Sequence, residues 1–387
     1  MTSMDTRTLT RGSLFVGVLA TFALIATLTA GQQPAGGRGG QGRSGGEPGN
    51  SKPVAWLGNK VPNLKPVDQH LTDSALVGAI DLHAHLNPDS SGGGQEPRAI
   101  DVIDDAEQMK ARGARGFVYK THMDTGSAGS VFLARKEVSG MEIFARFAMN
   151  TTMGGINPAA VVQFTHIAGG YGRIVEMPTR DSENTYKSMM GRGGQENRPW
   201  ITPWAKLFPD RLTYVPTVKN GQLLPEVKAM ITMLATLKTS SNAPVVLATG
   251  HATNEEHILI AREGRRQGVT VLLTHPDSLP IPEAEELAQL GAFVEINASG
   301  GFAHDADAET WAPKTVERIR GVGADQVVMG SDAGQTDRPL PGDELAMAAK
   351  ALRAHGLTEA ELNKIFKENP ARVLGLPVQA SKSSSGR

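Results

Sequence analysis

The sequence predicts an α/β fold, specifically a (β/α)8 TIM-type barrel with an insertion after the fourth strand. Three observations lead there. Eight short β-like runs alternate with stretches of helical spacing over roughly 320 residues, which suits a barrel with insertions. Several runs are apolar on both faces, as parallel strands covered by helices are. No Gly-rich phosphate turn follows the first run, which disfavours an open nucleotide-binding sheet.

In chain order the runs are "GAIDLHAH" (78–85), "GFVYKTH" (116–122), "EIFARFAM" (142–149), "RIVEMPT" (173–179), "PVVLATGH" (244–251), "VTVLLTH" (269–275), "AFVEINAS" (292–299) and "QVVMGSD" (326–332). Helical spacing marks the stretches between them, including "AIDVIDDAEQMKARG", "PEVKAMITMLATLK" and "NEEHILIAREGRRQG". In the last of these, Thr253 is placed to cap the start and Gly268 to stop the end. "VKNGQLL" holds an Asn-Gly pair between extended residues and predicts a small hairpin. The segment from Asp181 to Pro216 is too long for a plain βα loop. It carries Trp200 and Trp204 and reads either as a lid over the active-site face or as a structural insertion.

The flanks read differently. Arg7 and Arg11 precede the apolar stretch "LFVGVLATFALIATLTA", which exits in small residues, so residues 1–30 predict a secretory signal cleaved after Ala30. An uncleaved membrane anchor is the alternative. Residues 31–52 are Gly-rich and polar and predict a flexible linker. The barrel then spans 53–376, and 377–387 form a disordered tail. Export predicts a periplasmic or secreted protein with no stable membrane association once the signal is removed.

Composition narrows the chemistry. With 40% hydrophobic residues in 387 the chain can bury a large core, and a formal net charge of −1 implies no nucleic-acid partner. There is no cysteine, which removes disulfides, thiolate metal sites and cysteine nucleophiles. No G-x-S-x-G elbow and no H-E-x-x-H helix occurs, so neither a serine hydrolase nor that class of metalloprotease is indicated.

Chemistry in a barrel belongs to the C-terminal ends of the strands. There the sequence places His83 and His85 (first run), Lys120 and His122 (second), Glu176 (fourth), His251 (fifth), His275 (sixth) and Asp332 (eighth). A lone terminal histidine is usually a hydrogen-bonded structural residue. Four of the ten histidines, at the ends of the first, fifth and sixth runs, point instead to a metal. Neutral imidazoles suit a borderline divalent ion such as zinc, with a carboxylate for charge balance. Asp332 would take the proton of a metal-activated water and pass it to the leaving group. That is hydrolase chemistry on a small-molecule substrate.

These motifs carry a resemblance. "DLHAH", "TGH", "LTHP", "GSDAGQ" and the closing "ENPARVLGL" are similar to the amidohydrolase superfamily of metal-dependent hydrolases, over essentially all of residues 75–376. "GFVYKTH", "MGGINPAAV", "RIVEMPTRD" and "LLPEV" look like a branch without a settled substrate. The resemblance implies that His83 and His85 bind the more buried ion, that His251 and His275 bind a second if there is one, and that Asp332 is both ligand and general base. The superfamily usually has a carboxylated lysine or a glutamate as bridging ligand at the end of the fourth strand, and no lysine stands there. A carboxylated Lys120 is favoured for that role over Glu176. A buried ion pair, for instance with Asp81, is the structural alternative for Lys120.

His122, Asn150 and Asn157 are candidate substrate contacts; a structural hydrogen bond for His122 and helix capping for Asn157 are their alternatives. His257 and His304 are expected at the surface. A metal-dependent lyase or decarboxylase, and a non-catalytic barrel that captures small ligands, are the competing functions. A homo-oligomer is compatible with all of them.

Overall fold

Each of the eight expected runs is a strand of one parallel sheet in a computed structural model that describes residues 66–89, 98–190, 214–303, 307–336 and 338–379. The strands are β1 (Ile80–Ala84), β2 (Gly116–Thr121), β3 (Glu142–Ala148), β4 (Gly172–Glu176), β5 (Val246–Ala248), β6 (Thr270–Leu273), β7 (Phe293–Asn297) and β8 (Val327–Gly330), neighbouring one another in that order. At the ends of β1 and β8 the sheet nearly closes. There Asp332 N–H donates to His83 O and His85 N–H to Ala333 O, both at 2.7 Å. The result is a (β/α)8 barrel. The expected signal and linker, Trp200, Trp204, His304 and residues 380–387 lie outside the described residues. Among the described residues no helix is long and apolar enough to cross a membrane.

Strand periodicity sorts the side chains into layers. Ile80, Val118, Phe144, Ile174, Val246, Leu272, Phe293 and Val328 form one apolar cluster inside the barrel, against Ala371, Val373 and Leu374 of the C-terminal helical run. Residues of opposite parity, such as Phe117, Phe147, Val271 and Val294, belong to the larger core under the helices. Two positions beyond the inner apolar layer, and so on the same inward face, come Lys120, Arg146, Glu176, Thr274 and Glu295. All five are completely buried. A charged tier therefore lies between the apolar floor and the strand ends.

Local signals explain the helices. Asp101 accepts from Ile103 N and Asp104 N to start α1 (Val102–Ala111), and Asn157 does the same for α3 (Pro158–Thr165), with α2 (Ser127–Glu137) between them. The insertion begins with α4 (Glu183–Met190), and Val215 N–H donates to Asp181 O at 2.8 Å, which ties the two ends of the insertion together. The remainder of the segment expected as a lid lies outside the described residues. The Asn-Gly hairpin forms, with Asn220 and Gly221 at φ 53° and 69°, values a two-residue hairpin turn needs. Next come α5 (Pro225–Thr236) and α6 (Asn254–Arg266). A capping box between Thr253 and Glu256 opens α6, and Gly268 at φ 79° follows its end. α7 (Ile281–Gln289), α8 (Ala308–Val322) and α9 (Pro341–Ala354) complete the ring.

Candidate metal centre

β1 brings the two histidines of "DLHAH" to one point. A register irregularity between Asp81 and Ala84 turns the end of the strand, and His83 Nε2 and His85 Nε2 stand 3.2 Å apart. Asp332, arriving from β8, places Oδ1 at 3.0 Å from His85 Nε2 and 3.3 Å from His83 Nε2. Adjacent donor atoms of a tetrahedral zinc site are ~3.3 Å apart when the bonds are about 2.0–2.1 Å. The three atoms thus outline one face of such a tetrahedron. One donor atom each from His83, His275 and Asp332 also lie within 4.8 Å of one another.

Two of these residues hold unusual backbone. His275 and Asp332 have φ of 49° and 55°, the left-handed region that non-glycine residues avoid. Each is the residue at which its strand end turns toward the common point. Asp332 is fixed further by Ser299 Oγ, which donates to Oδ2 at 2.9 Å, and by Arg338 Nη1, which donates to its main-chain oxygen at 2.9 Å.

Electrostatics favour neutral imidazoles and an ionised aspartate. Burial, reinforced by the Lys120 charge among others, depresses His83, His122 and His251 well below the ordinary histidine range. His85 is pushed down to about 3, again by burial above all. Burial alone would raise Asp332, but the His85 hydrogen bond, the adjacent His275 and His85 rings and the Arg338 guanidinium outweigh it and hold the carboxyl well below its usual range. A ligand set of uncharged nitrogens and one carboxylate is what a divalent ion requires.

The charged tier lies directly beneath. Arg146 Nη2 meets Glu176 Oε1 at 2.6 Å and Thr274 Oγ1 at 2.6 Å, while Nη1 meets both Glu295 oxygens at 3.2 Å. Lys120 Nζ stands 3.2 Å from Glu176 Oε2. Glu295 Oε1 in turn stands 2.8 Å from His83 Nδ1. Burial would raise Glu176, yet Arg146 and Lys120 hold it down at about 2. Burial lifts Glu295 to about 7 against the pull of Arg146; its oxygens accept hydrogen bonds in either protonation state.

The remaining expected residues fall into two groups. His122 joins the wall of the site, stacked on the His85 ring at 4.8 Å between centroids, with Nδ1 3.0 Å from Thr179 Oγ1. His251 stands 5.4 Å from the His275 ring, and its Nδ1 is 3.1 Å from Thr185 Oγ1 at the base of the insertion. The asparagines instead organise backbone. Asn150 donates to His122 O and Thr179 Oγ1 and accepts from Thr179 N and Asp181 N, so both ends of its amide are engaged. Asn157 caps α3 and donates to Met153 O. Lys120 is ion-paired as the structural alternative has it, but with Glu176 in place of Asp81; Asp81 accepts from His83 N and Ser331 N. His257 is a correction: it is buried against Thr249 Oγ1 at 2.8 Å, because its helical position faces the barrel and not solvent.

Arg146, Glu295 and Asn297 were not singled out among the candidate residues above. The available signal was a charge at an inward parity inside an apolar run, in "FARFA" and "FVEIN".

The fold has solved counterparts. The chain is similar to an amidohydrolase from Pseudomonas aeruginosa, at 14% identity over 80% of this chain and 98% of that one, with a TM-score of 0.50. It is also similar to an amidohydrolase from Burkholderia multivorans with bound zinc (13% identity, 77% and 99% covered, TM-score 0.49). An organophosphorus hydrolase variant from Deinococcus radiodurans gives 16% identity, 81% and 100% covered and a TM-score of 0.45. At these identities the likeness is one of fold. No curated protein matches the chain. Residues 78–295, over half of the sequence, match DUF6282, a family of unknown function, and the chain belongs to that family.

Proposed function

We propose that this chain is a metal-dependent hydrolase acting on a small molecule, with His83, His85, His275 and Asp332 as the residues that hold a divalent ion, zinc by the chemistry of the donor set. The observation that carries the reading is the convergence of His83 Nε2, His85 Nε2 and Asp332 Oδ1 at mutual distances of 3.0–3.3 Å. Two uncharged imidazoles present ring nitrogens to one another at 3.2 Å beside a carboxylate. A cation between them resolves that arrangement.

Bound there, a divalent ion would supply Lewis acidity and lower the pKa of a coordinated water toward neutrality. The chain's own residues do the rest. Asp332 is the general base: its carboxylate, oriented by Ser299 and Arg338, takes the proton of the attacking water and returns it to the leaving group. His122, packed on His85, faces the same space and contacts substrate. His251 lines the pocket where the base of the insertion meets the barrel.

The Lys120–Glu176 pair supports a single ion with an unmodified lysine. Carboxylation of Lys120 would replace an attraction at 3.2 Å by a repulsion between two buried anions. The bond cleaved is an amide, ester, lactone or phosphoester. The reading also places the barrel outside the cytoplasm, supported by Arg7, Arg11 and the apolar stretch ending at Ala30.

Metal-stripped and zinc-reloaded protein should be compared on lactones, esters, amidated amino acids and phosphotriesters. The expected result is hydrolysis within one of these classes that appears only on reloading. Hydrolysis indifferent to metal, or none in any class, would oppose the proposal.

A further inference from the structure

β7 contributes no candidate ligand, yet its two inward polar residues each touch the Nδ1 of a ligand imidazole. Glu295 Oε1 is 2.8 Å from His83 Nδ1, and both side chains are completely buried. Asn297, two residues on and therefore on the same face, has its amide 2.8 Å from His275 Nδ1. As drawn, the Asn297 nitrogen faces the ring and its Oδ1 is buried with no partner. Turning the amide over, which leaves the shape of the side chain unchanged, gives Oδ1 the imidazole N–H to accept and ends its isolation.

The neighbouring strand makes room for this arrangement. A Cβ on Gly330 of β8 would lie 2.8 Å from His83 Cβ, 3.0 Å from Asn297 Oδ1 and 3.1 Å from Glu295 Oε1. Arg146 favours the acceptor role of Glu295, because its Nη1 donates to both carboxylate oxygens at 3.2 Å.

We propose that Glu295 and Asn297 are positioning residues that lock His83 and His275 in the Nδ1–H tautomer, so that both Nε2 lone pairs are aimed at the ion before it arrives. The inference rests on the metal reading above for its purpose, but the tautomers exist without metal and can be observed in its absence. An acceptor behind a ligating imidazole typically accounts for ~10–100-fold in metal affinity.

The test joins nitrogen-15 NMR of the histidine rings in metal-free protein with zinc affinity by chelator competition, for wild type, Glu295→Gln and Asn297→Ala. Wild type should show both rings as Nδ1–H. In Glu295→Gln the Arg146 donors demand the amide oxygen, so the amide NH2 faces His83; its ring signal should move toward the Nε2–H form with His275 unchanged. Asn297→Ala should shift His275 alone. Zinc should bind each variant ~10–100-fold more weakly than wild type. Wild-type rings in the Nε2–H form, or variants with unaltered tautomers and affinity, would overturn the inference. If wild type binds no zinc, the metal reading fails and the wild-type tautomers alone decide this one; they decide it equally if a variant does not fold.

Discussion

His85 Nε2 stands 3.0 Å from Asp332 Oδ1, across the seam where the first strand of the barrel meets the eighth, although the two residues are 247 positions apart. The contact bridges the first and last strands of the sheet, and it exists only if the barrel closes. Site and fold are therefore tested together.

The two partners should fail differently. His85→Ala removes a donor atom and should abolish stoichiometric zinc in the purified protein. Asp332→Asn keeps the shape and one oxygen, so most of the zinc should remain, while turnover falls by ~10²–10⁴-fold, the usual contribution of a general base. Metal analysis beside a rate measurement separates them. Equal loss of metal in both variants would remove Asp332 from the base role.

Arg146 should be the most damaging single truncation in the barrel interior. It holds Glu176 at 2.6 Å and Glu295 at 3.2 Å with no solvent access. Arg146→Met leaves two buried carboxylates facing one another with Lys120 alone for compensation. Breaking a buried pair from one side costs about 3–5 kcal/mol, measurable by chemical denaturation of the metal-free protein. A loss below about 1 kcal/mol would mean that the charges are neutralised by other means.

Acid should destabilise the metal-free protein through its buried histidines, above the pH at which ordinary carboxylates titrate. His85 and His257 are held down at about 3 by burial, against an ordinary value of 6.5. His83, His122 and His251 are depressed in the same direction. Because the folded values lie below the unfolded ones, the unfolded chain binds more protons between pH ~6.5 and ~3, and stability falls as pH falls through that window. Each group contributes on the order of 1 kcal/mol per pH unit there. The thermal midpoint should drop steadily below pH ~6.5; a flat profile down to pH ~4.5 would contradict neutral, buried imidazoles.

Lys120 should stay an ammonium. Incubation with carbon-13-labelled bicarbonate should give no carbamate carbonyl resonance in wild-type protein. A resonance present in wild type and absent in Lys120→Met would restore a carboxylated lysine, and the single-ion assignment would have to yield.

Much of this was legible in the sequence, for reasons the structure makes plain. His83, His85, His251, His275 and Asp332 stand at strand ends, where apolar periodicity stops and a titratable residue has no packing role to explain it. The capping box at Thr253 and the Asn220–Gly221 turn are local chemistry, so they too could be read directly. Arg146 and Glu295 left a fainter mark, a lone charge inside an apolar run. Each sits inside an apolar run at a position that period-2 alternation assigns to the core, and only the register across β3, β4 and β7 makes their charges compensate. His257 was misplaced for a related reason: helical spacing does not say which face of α6 the barrel covers. Asn150 and Asn157 lie near the site in sequence, but backbone claims their amides, that of the loops after β2 and β4 for Asn150 and that of its own loop for Asn157. The left-handed backbone at His275 and Asp332 leaves no mark in composition at all.

The most direct test of the central claim is anomalous diffraction from zinc-loaded crystals, recorded above and below the zinc absorption edge. The account predicts one strong peak at bonding distance, about 2.0–2.2 Å, from His83 Nε2, His85 Nε2 and an Asp332 carboxylate oxygen. No peak among those three atoms, or a peak bound only to residues elsewhere on the barrel, would contradict it.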